Sequence, residues 1–212
     1  MSEPYPAPVS PAAELLDIGP YYAAVGIPQG VIVDRASGEI SGAVRRGGEI
    51  VSLDSVEYAL WTILLAPATP AAVTEAASNQ GWSRPDRSIA RLRELDLLVT
   101  IEPGQAMGGS LERLRPLPLG FGLGNTKGDQ MRFEIQNATL SLPSPVSLDV
   151  LAIMFWWEFD GARSLREIVE RVATRISNLS TDRADAIVTQ LAYGLMTNRL
   201  LYLDCPVPRR AD

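Results

Sequence analysis

The chain has 212 residues, no histidine, one cysteine and a formal net charge of −6. Without histidine it cannot form a Ser-His-Asp triad, a Cys-His pair or an imidazole metal site. Its single cysteine, Cys205, permits neither an intrachain disulfide nor a thiolate cluster. Carboxylate chemistry stays open because 25 acidic residues are present. The composition predicts a protein without a metal or a cofactor, and an enzyme is the least favoured class.

No segment of the sequence predicts a membrane span. The longest uncharged stretch, residues 58–74, contains Pro67 and Pro70 and is shorter than the about 20 residues that a transmembrane helix needs. The N-terminal segment is Pro-rich and acidic, and it lacks the basic and apolar regions of a secretory signal. We therefore expect a cytoplasmic protein with no membrane partner.

The composition changes along the chain and predicts two domains. A stretch rich in Pro and Gly lies near the middle and has the character of a linker. The predicted parts are a Pro-rich N-terminal segment 1–25, a first domain 26–102, a linker 103–116, a second domain 117–205 and a C-terminal tail 206–212.

The first domain is predicted to contain strands followed by helices. Alternating apolar residues between glycine-containing turns predict three antiparallel strands, at residues 30–34, 40–44 and 50–53. Asp54 and Thr69 are placed to cap two helices, and Pro85 or Asp86 to begin a third. A short apolar strand at residues 98–102 completes the domain.

The second domain is predicted to repeat the same order. Its strands are expected at residues 121–123, 131–135 and 139–142. Ser147, Ser164 and either Thr181 or Asp182 are placed to cap its three helices, and Glu167 completes a capping box with Ser164. A strand at residues 200–204 follows. The predicted fold is α+β: two tandem winged-helix-like domains, each with a small antiparallel three-stranded sheet, three helices and a short strand.

Short segment matches indicate that the two domains are copies of one unit. Pro28 and Gly30 align with Pro118 and Gly120 at an offset of 90. Further matches are expected at offsets of 89 for Ser52 with Ser141, 95 for Thr69 with Ser164, and 102 for Leu98 with Leu200. The alternative is a single α+β domain whose elements merely look alike.

The second copy resembles a known family. Its apolar helix ends in the pattern Trp-x-x-x-Asp-Gly, from Trp156 to the turn Asp160-Gly161, and a capped helix with the sequence Ser-Leu-Arg-Glu-Ile follows. This pattern is similar to that of PqqD and the related RiPP recognition elements, and the first copy matches it more weakly. The resemblance implies a domain that binds a leader peptide, which adds a strand to the third strand and packs against the last helix.

Carried onto this sequence, the resemblance implies a peptide-binding surface in the second copy. The residues are Ala138, Leu140, Leu142, Ile187, Gln190, Leu191 and Gly194. In the first copy the matching elements are residues 50–53 with the helix around Ile89 and Arg93. The implied partner is a peptide or protein segment, with a peptide-modifying enzyme as a further partner. A homodimer is also compatible with the sequence.

An arginine run in the first copy supports an alternative function. Arg84, Arg87 and Arg91 lie at positions i, i+3 and i+7 of the third helix and share one face, and Arg93 is close by. A transcriptional regulator would contact DNA with such a helix. The opposing interpretation is a solvated face balanced by nearby acids. Residues 1–102 carry 7 basic and 13 acidic groups, which disfavours DNA.

Two other features of the sequence bear on function. Phe155, Trp156 and Trp157 are consecutive in a helix and point about 100° apart, so one small core cannot bury all three. One of them is expected to face a groove, the other copy or a partner. Cys205 has no activating neighbour in the sequence, and no functional thiol is expected. The preferred function is a non-catalytic peptide- or protein-binding module, with a DNA-binding regulator and an architectural winged-helix adaptor as alternatives.

Overall fold

The computed structural model describes residues 20–102, 111–137 and 145–206. Within these ranges the fold is mixed α+β and consists of two units, each combining antiparallel strands with three helices. The predicted fold class is therefore confirmed at this level. Among the described residues, no helix is long and apolar enough to cross a membrane.

The first unit comprises residues 21–101 and has eight elements. They are β1 (Tyr21–Ala24), β2 (Ile27–Val33), β3 (Ile40–Arg46), β4 (Glu49–Asp54), α1 (Ser55–Ile63), α2 (Pro70–Asn79), α3 (Pro85–Glu94) and β5 (Leu98–Ile101). Strands β2, β3 and β4 form an antiparallel sheet in that order. The first and last strands, β1 and β5, pair separately as a two-stranded ribbon.

The second unit comprises residues 115–204 and has the same eight elements in the same order. They are β6 (Arg115–Pro118), β7 (Gly120–Thr126), β8 (Asp129–Asn137), β9 (Val146–Asp149), α4 (Val150–Trp156), α5 (Leu165–Arg175), α6 (Thr181–Thr197) and β10 (Leu201–Asp204). Strands β7, β8 and β9 form a sheet, and β6 pairs with β10.

Side-chain caps fix where the helices begin, and most were predicted. The Asp54 carboxylate accepts a hydrogen bond from the Glu57 backbone N–H at 2.7 Å. The Glu57 carboxylate in turn accepts one from the Asp54 backbone N–H, and the two bonds make a capping box. Thr69 caps α2 before Pro70, and Ser164 caps α5 with Glu167. These three caps are confirmed because each depends only on residues within one turn.

Two predicted caps in the second unit were wrong. Asp149 caps α4 by accepting from the Ala152 N–H at 2.7 Å, so Ser147 lies in strand β9. Ser180 caps α6 one residue before the predicted Thr181. Both Ser147 and Asp149 are good cap residues. Pairing of Val146 and Leu148 with strand β8 keeps the chain extended through Ser147 and decides between them.

The third strand of the second sheet also differs from the prediction. The strand paired with β8 is Val146–Asp149 rather than residues 139–142. Both stretches carry an apolar-Ser-Leu alternation, so the local pattern could not separate them. The predicted residues Ala138, Leu140 and Leu142 lie outside the described residues.

Strands β1 and β6 were not predicted. Strand β1 lies in the segment assigned to residues 1–25, and β6 crosses the predicted boundary between the linker 103–116 and the second domain. Each has four residues, and its strand partner is the last strand of its own unit. Such a short strand has little local signal, because its partner is more than 70 residues away in sequence.

The two units repeat the same order of elements. The predicted offset of 95 for Thr69 with Ser164 is confirmed, but the offset of 90 for the first strands is wrong. The helix caps Asp54 and Asp149 are 95 residues apart, as are the caps Thr69 and Ser164. Gly30 and Gly124 are 94 apart, and each has a positive φ beside a register shift in its sheet. The predicted match of Gly30 with Gly120 was therefore wrong by four residues.

The ribbon of β1 and β5 joins the two units, because its alternate side chains enter two different cores. Ala24 and Leu98 pack in the core of the first unit. Ala23, Val25 and Ile101 pack in the core of the second unit. A backbone hydrogen bond also links the two units, because the Gly26 N–H donates to the Leu203 carbonyl at 2.7 Å. The two units therefore pack as one body through this ribbon.

Gly26, just before β2, lies very close to strand β3 of its own unit. Its φ is +108°, and an added Cβ would lie 2.6 Å from Val44 Cγ1. Gly120, its counterpart 94 residues later, would place a Cβ 2.8 Å from the Gln136 carbonyl oxygen. Contacts below 3.0 Å force the neighbouring atoms to move, so both units need glycine here.

Candidate functional site

Strand β4 is an edge of the first sheet that lies open in the described structure. It has six residues, and among the described strands it pairs only with β3. Ile50 is 68 % exposed, and Glu49, Ser52 and Asp54 are also exposed. An open edge of this length offers backbone N–H and C=O groups to an added strand.

The hairpin geometry identifies which backbone groups face outward. Gly47 and Gly48 form a two-residue turn, so Arg46 and Glu49 flank the turn as a paired position. Hydrogen-bonded and non-hydrogen-bonded pairs alternate along an antiparallel ladder. We infer that Glu49, Val51 and Leu53 bond β3, whereas Ile50 and Ser52 direct their N–H and C=O groups away from it.

The remaining outward donor of the strand is already used. The Asp54 N–H donates to Glu57 Oε2 at 3.2 Å in the capping box. Asp54 therefore terminates the open edge, and Ile50 and Ser52 are the positions at which an added strand would form its backbone hydrogen bonds.

A groove runs beside the end of this edge. Its volume is about 330 Å³. We call it the charged groove, and its lining residues are Asp54, Val56, Glu57, Trp82, Ser83, Arg84, Arg87 and Ser88. The carboxylates come from the start of α1, and the guanidinium groups come from the start of α3. The groove thus presents both signs of charge around the side chains of Val56 and Trp82.

The four arginines of the predicted DNA-binding helix do not form one common surface. Arg84 and Arg87 line the charged groove. Arg91 pairs with Glu94 at 3.3 Å, and Arg93 lies over the Tyr22 ring, with its guanidinium carbon 4.9 Å from the ring centroid. Because Arg93 points toward β1 and Arg91 is paired, the structure brings only Arg84 and Arg87 together.

The two sets of predicted site residues lie on equivalent helices. The turns after α3 and α6 match, because the Leu97 N–H bonds the Leu92 carbonyl and the Leu200 N–H bonds the Leu195 carbonyl. Equivalent positions of the two helices therefore differ by 103 in residue number. Ile187, Gln190, Leu191 and Gly194 then occupy the positions of Arg84, Arg87, Ser88 and Arg91.

The same face is closed in the second unit. Leu191 is 3 % exposed and belongs to the core, and Ile187 packs against that core. Gln190 and Gly194 are half-buried. In the first unit, Ile89 is buried as well, and Arg93 is exposed at the junction. The predicted helix residues of the second unit are therefore largely occupied by packing.

A buried charge cluster in the second unit was missed by the sequence analysis. Glu158 is 7 % exposed. Its carboxylate accepts a hydrogen bond from Arg171 Nε at 2.9 Å and also forms ion pairs with Arg175 and Arg163. Burial alone raises the pKa of Glu158, but the hydrogen bonds and charges of Arg171 and Arg175 outweigh burial and lower the pKa overall. The i, i+4 spacing of these two arginines on α5 was the available signal.

The aromatic run divides between core and surface, as expected. Phe155 is fully buried and Trp156 is 8 % exposed, whereas Trp157 is 66 % exposed. The Trp157 and Phe133 rings are nearly perpendicular, with 5.9 Å between their centroids. Cys205 is buried, and burial raises the pKa of its thiol.

Within the described residues, no cluster of three or more His, Cys, Asp or Glu side chains could hold a metal ion. Comparisons with protein-family models, with curated proteins and with solved structures found no match to this chain.

Proposed function

We propose that this chain is a non-catalytic binding protein whose first unit takes an extended peptide or protein segment along the β4 edge. The observation that carries the proposal is the open six-residue edge lying directly beside the charged groove. Backbone bonds to Ile50 and Ser52 would provide affinity without requiring a particular sequence, and the groove would select side chains.

The groove chemistry indicates which segments would be preferred. Asp54 and Glu57 favour a basic side chain on the α1 side, and Arg84 and Arg87 favour an acidic one on the α3 side. Val56 and Trp82 add apolar surface. A segment carrying an acidic, an apolar and a basic side chain would match the groove.

The resemblance to RiPP recognition elements supports the same surface type and adds a biological setting. In that setting, a cytoplasmic protein would hold a leader peptide for a modifying enzyme. The resemblance is stronger in the second unit, but the open edge and groove favour the first. The resemblance also implies that the two units are winged-helix domains, and we include this assignment in the proposal.

The test is a selection from a library of random peptides of about 12 residues, long enough to exceed one strand. Enriched peptides are measured by fluorescence anisotropy against the full-length chain. Ser52→Pro removes an outward backbone donor while sparing the inferred bonds to β3. Ser147→Pro is the matched control, because Ser147 occupies the position of Ser52 in β9, 95 residues later.

We expect Ser52→Pro to abolish binding and Ser147→Pro to leave it unchanged. Arg87→Glu should lower the affinity for peptides that carry an acidic residue by at least about tenfold. Failure to enrich any peptide, or equal binding by Ser52→Pro and the parent, would refute the proposal. Salt-dependent binding to duplex DNA that Arg87→Ala abolishes would favour the regulator instead.

A further inference from the structure

The hairpin of β2 and β3 exposes an unusual amount of aliphatic surface. Val31, Ile32 and Val33 are consecutive in β2 and are 58 %, 51 % and 56 % exposed, and Ile40, paired with Val33, is 52 % exposed. Side chains alternate along a strand, so both faces of the hairpin end are apolar. An exposed strand with aliphatic residues on both faces is a site for pairing with another strand.

Strand β2 lies at the edge opposite β4, since the sheet order is β2-β3-β4. Its first residues adjoin β10 of the second unit, where Val25 bridges Leu203. The stretch from Gly30 to Val33 has β3 as its only described strand partner. The free part of β2 is therefore short and faces away from the junction.

In the two three-stranded sheets, the edges β4, β7 and β9 carry features that discourage pairing with the same strand of a second copy. Strand β2 has Pro28 and Gly30 nearer its start, but its residues 31–33 lack such features. Strand β4 has acidic residues at both ends, β7 has three glycines, and β9 has four residues ending in Asp149. Charges, glycines and short length all limit edge-to-edge pairing. The segment from Gly30 to Val33 has neither charge nor proline.

The backbone pattern of β2 is compatible with pairing to a second copy of itself. The Asp34 N–H bonds the Glu39 carbonyl across the hairpin, so Ile32 bonds β3 while Val31 and Val33 face outward. A two-fold axis at Ile32 would then place Val31 opposite Val33 of the other copy. These two positions would exchange backbone hydrogen bonds on each side of the axis.

We propose that two copies of this chain associate through β2, with Ile32 at the two-fold axis, to form a continuous six-stranded sheet. Around this axis β-branched residues oppose β-branched residues, which is a favourable cross-strand pairing. Asp34 would lie opposite Gly30, so no like charges meet. The Asp34 carboxylate already accepts the Ala36 N–H at 2.7 Å within its own turn.

The small size of this surface makes the dimer reversible. A four-residue edge and four half-exposed aliphatic side chains per copy provide less than the about 800 Å² per partner of a stable complex. The dimer should therefore exchange with the monomer and strengthen with concentration. Because β4 stays free at the other edge, peptide binding and dimer formation are independent.

Sedimentation equilibrium of the full chain tests this proposal from about 1 μM to about 1 mM, the range of weak complexes. The parent should shift from monomer to dimer. Ile32→Lys and Ile32→Glu should each stay monomeric, because like charges meet at the axis. Their equimolar mixture should dimerise again, which no general folding defect could produce.

Ile50→Lys is the matched control, since Ile50 is at least as exposed but lies on the β4 edge. We expect this variant to dimerise like the parent. A parent that remains monomeric at the highest concentration would overturn the proposal. So would dimers of either Ile32 variant alone, a mixture that stays monomeric, or loss of the dimer in Ile50→Lys.

Discussion

The two units share one order of elements but fill equivalent positions with different side chains. Position 42 in β3 is Gly, and its counterpart in β8 is Phe133, because both residues lie opposite matched leucines, Leu53 and Leu148. In the first unit the Tyr58 ring of α1 occupies the space over Gly42. In the second unit Phe133 provides the ring, and Ile153 stands at the position of Tyr58.

This exchange shows that the fold constrains the volume between sheet and helix more than the origin of the side chain. A large ring can come from the strand or from the helix, provided that the facing residue is smaller. Identity between the copies is therefore low where packing is conserved. The helix caps and junction glycines, which serve backbone geometry, match more closely.

The units also differ in where they place charge. In the first unit, Asp54, Glu57, Arg84 and Arg87 line an accessible groove. In the second unit, Glu158 is buried among arginines, whereas its counterpart 95 residues earlier is the apolar Ile63. In the described residues, the first unit thus presents both signs of charge in a groove beside its open edge, whereas the second unit buries a carboxylate among arginines.

The largest expected effect comes from Trp61, which is fully buried and donates its indole N–H to the Val25 carbonyl at 3.1 Å. Trp61→Ala should lower the free energy of unfolding by about 3–5 kcal/mol, the usual cost of a large core cavity. Urea denaturation measures it. Trp157→Ala is the control, since Trp157 is 66 % exposed, and a loss as large as that of Trp61→Ala would contradict the burial assignment.

A substitution at Gly42 tests whether the Tyr58 ring fills the space that Phe133 fills in the second unit. Gly42→Ala places a Cβ against the Tyr58 ring and should cost about 1–3 kcal/mol through overpacking. Adding Tyr58→Ile, the residue of the second unit, should recover part of this cost, as a double-mutant cycle would show. Gly122→Ala, which meets nothing within 4 Å, should stay within about 0.5 kcal/mol of the parent. Additive effects of Gly42→Ala and Tyr58→Ile would refute the coupling.

A smaller effect is expected at Glu158, because its arginine partners are partly exposed. Glu158→Gln should cost about 1–2 kcal/mol at pH 7, less than the loss of a fully buried pair. The folded-state pKa of Glu158 lies below its ordinary value. The contribution is therefore complete above the unfolded pKa and is lost as the pH falls through the folded pKa.

Denaturation of the parent and of Glu158→Gln from neutral to acidic pH checks this sign. The difference in unfolding free energy should shrink on acidification. Glu170→Gln, at an exposed position next to Arg171, should change stability by no more than about 0.5 kcal/mol at pH 7. A difference that grows toward low pH would contradict the arrangement.

Local features of the fold were predictable from the sequence. Asp54, Thr69 and Ser164 were recognised as caps because their partners are three residues away. Strands β1 and β6 were not, since their pairing joins the two ends of a unit. Ser147 could serve as cap or as strand, and only its pairing beside strand β8 resolves the choice.

The candidate site was only partly predictable. The spacing predicts Arg84, Arg87 and Arg91 on one helix face. In the structure Arg84 precedes the first residue of α3, and the charged groove contains Arg84 and Arg87 but not Arg91. Sequence could not show that Asp54 and Glu57 stand across from them, because α1 and α3 meet only in the folded chain. It also could not show that Leu191, at the position of Ser88, is buried.

The central claim is that the β4 edge of the first unit binds an extended segment. Amide hydrogen exchange by NMR tests this claim most directly, on the full chain with and without an enriched peptide. Ile50 and Ser52 amides should exchange rapidly in the free protein and become protected in the complex, while Ser147 stays unchanged. Protection of Ser147 instead, or fast exchange of Ile50 and Ser52 in the saturated complex, would contradict the claim.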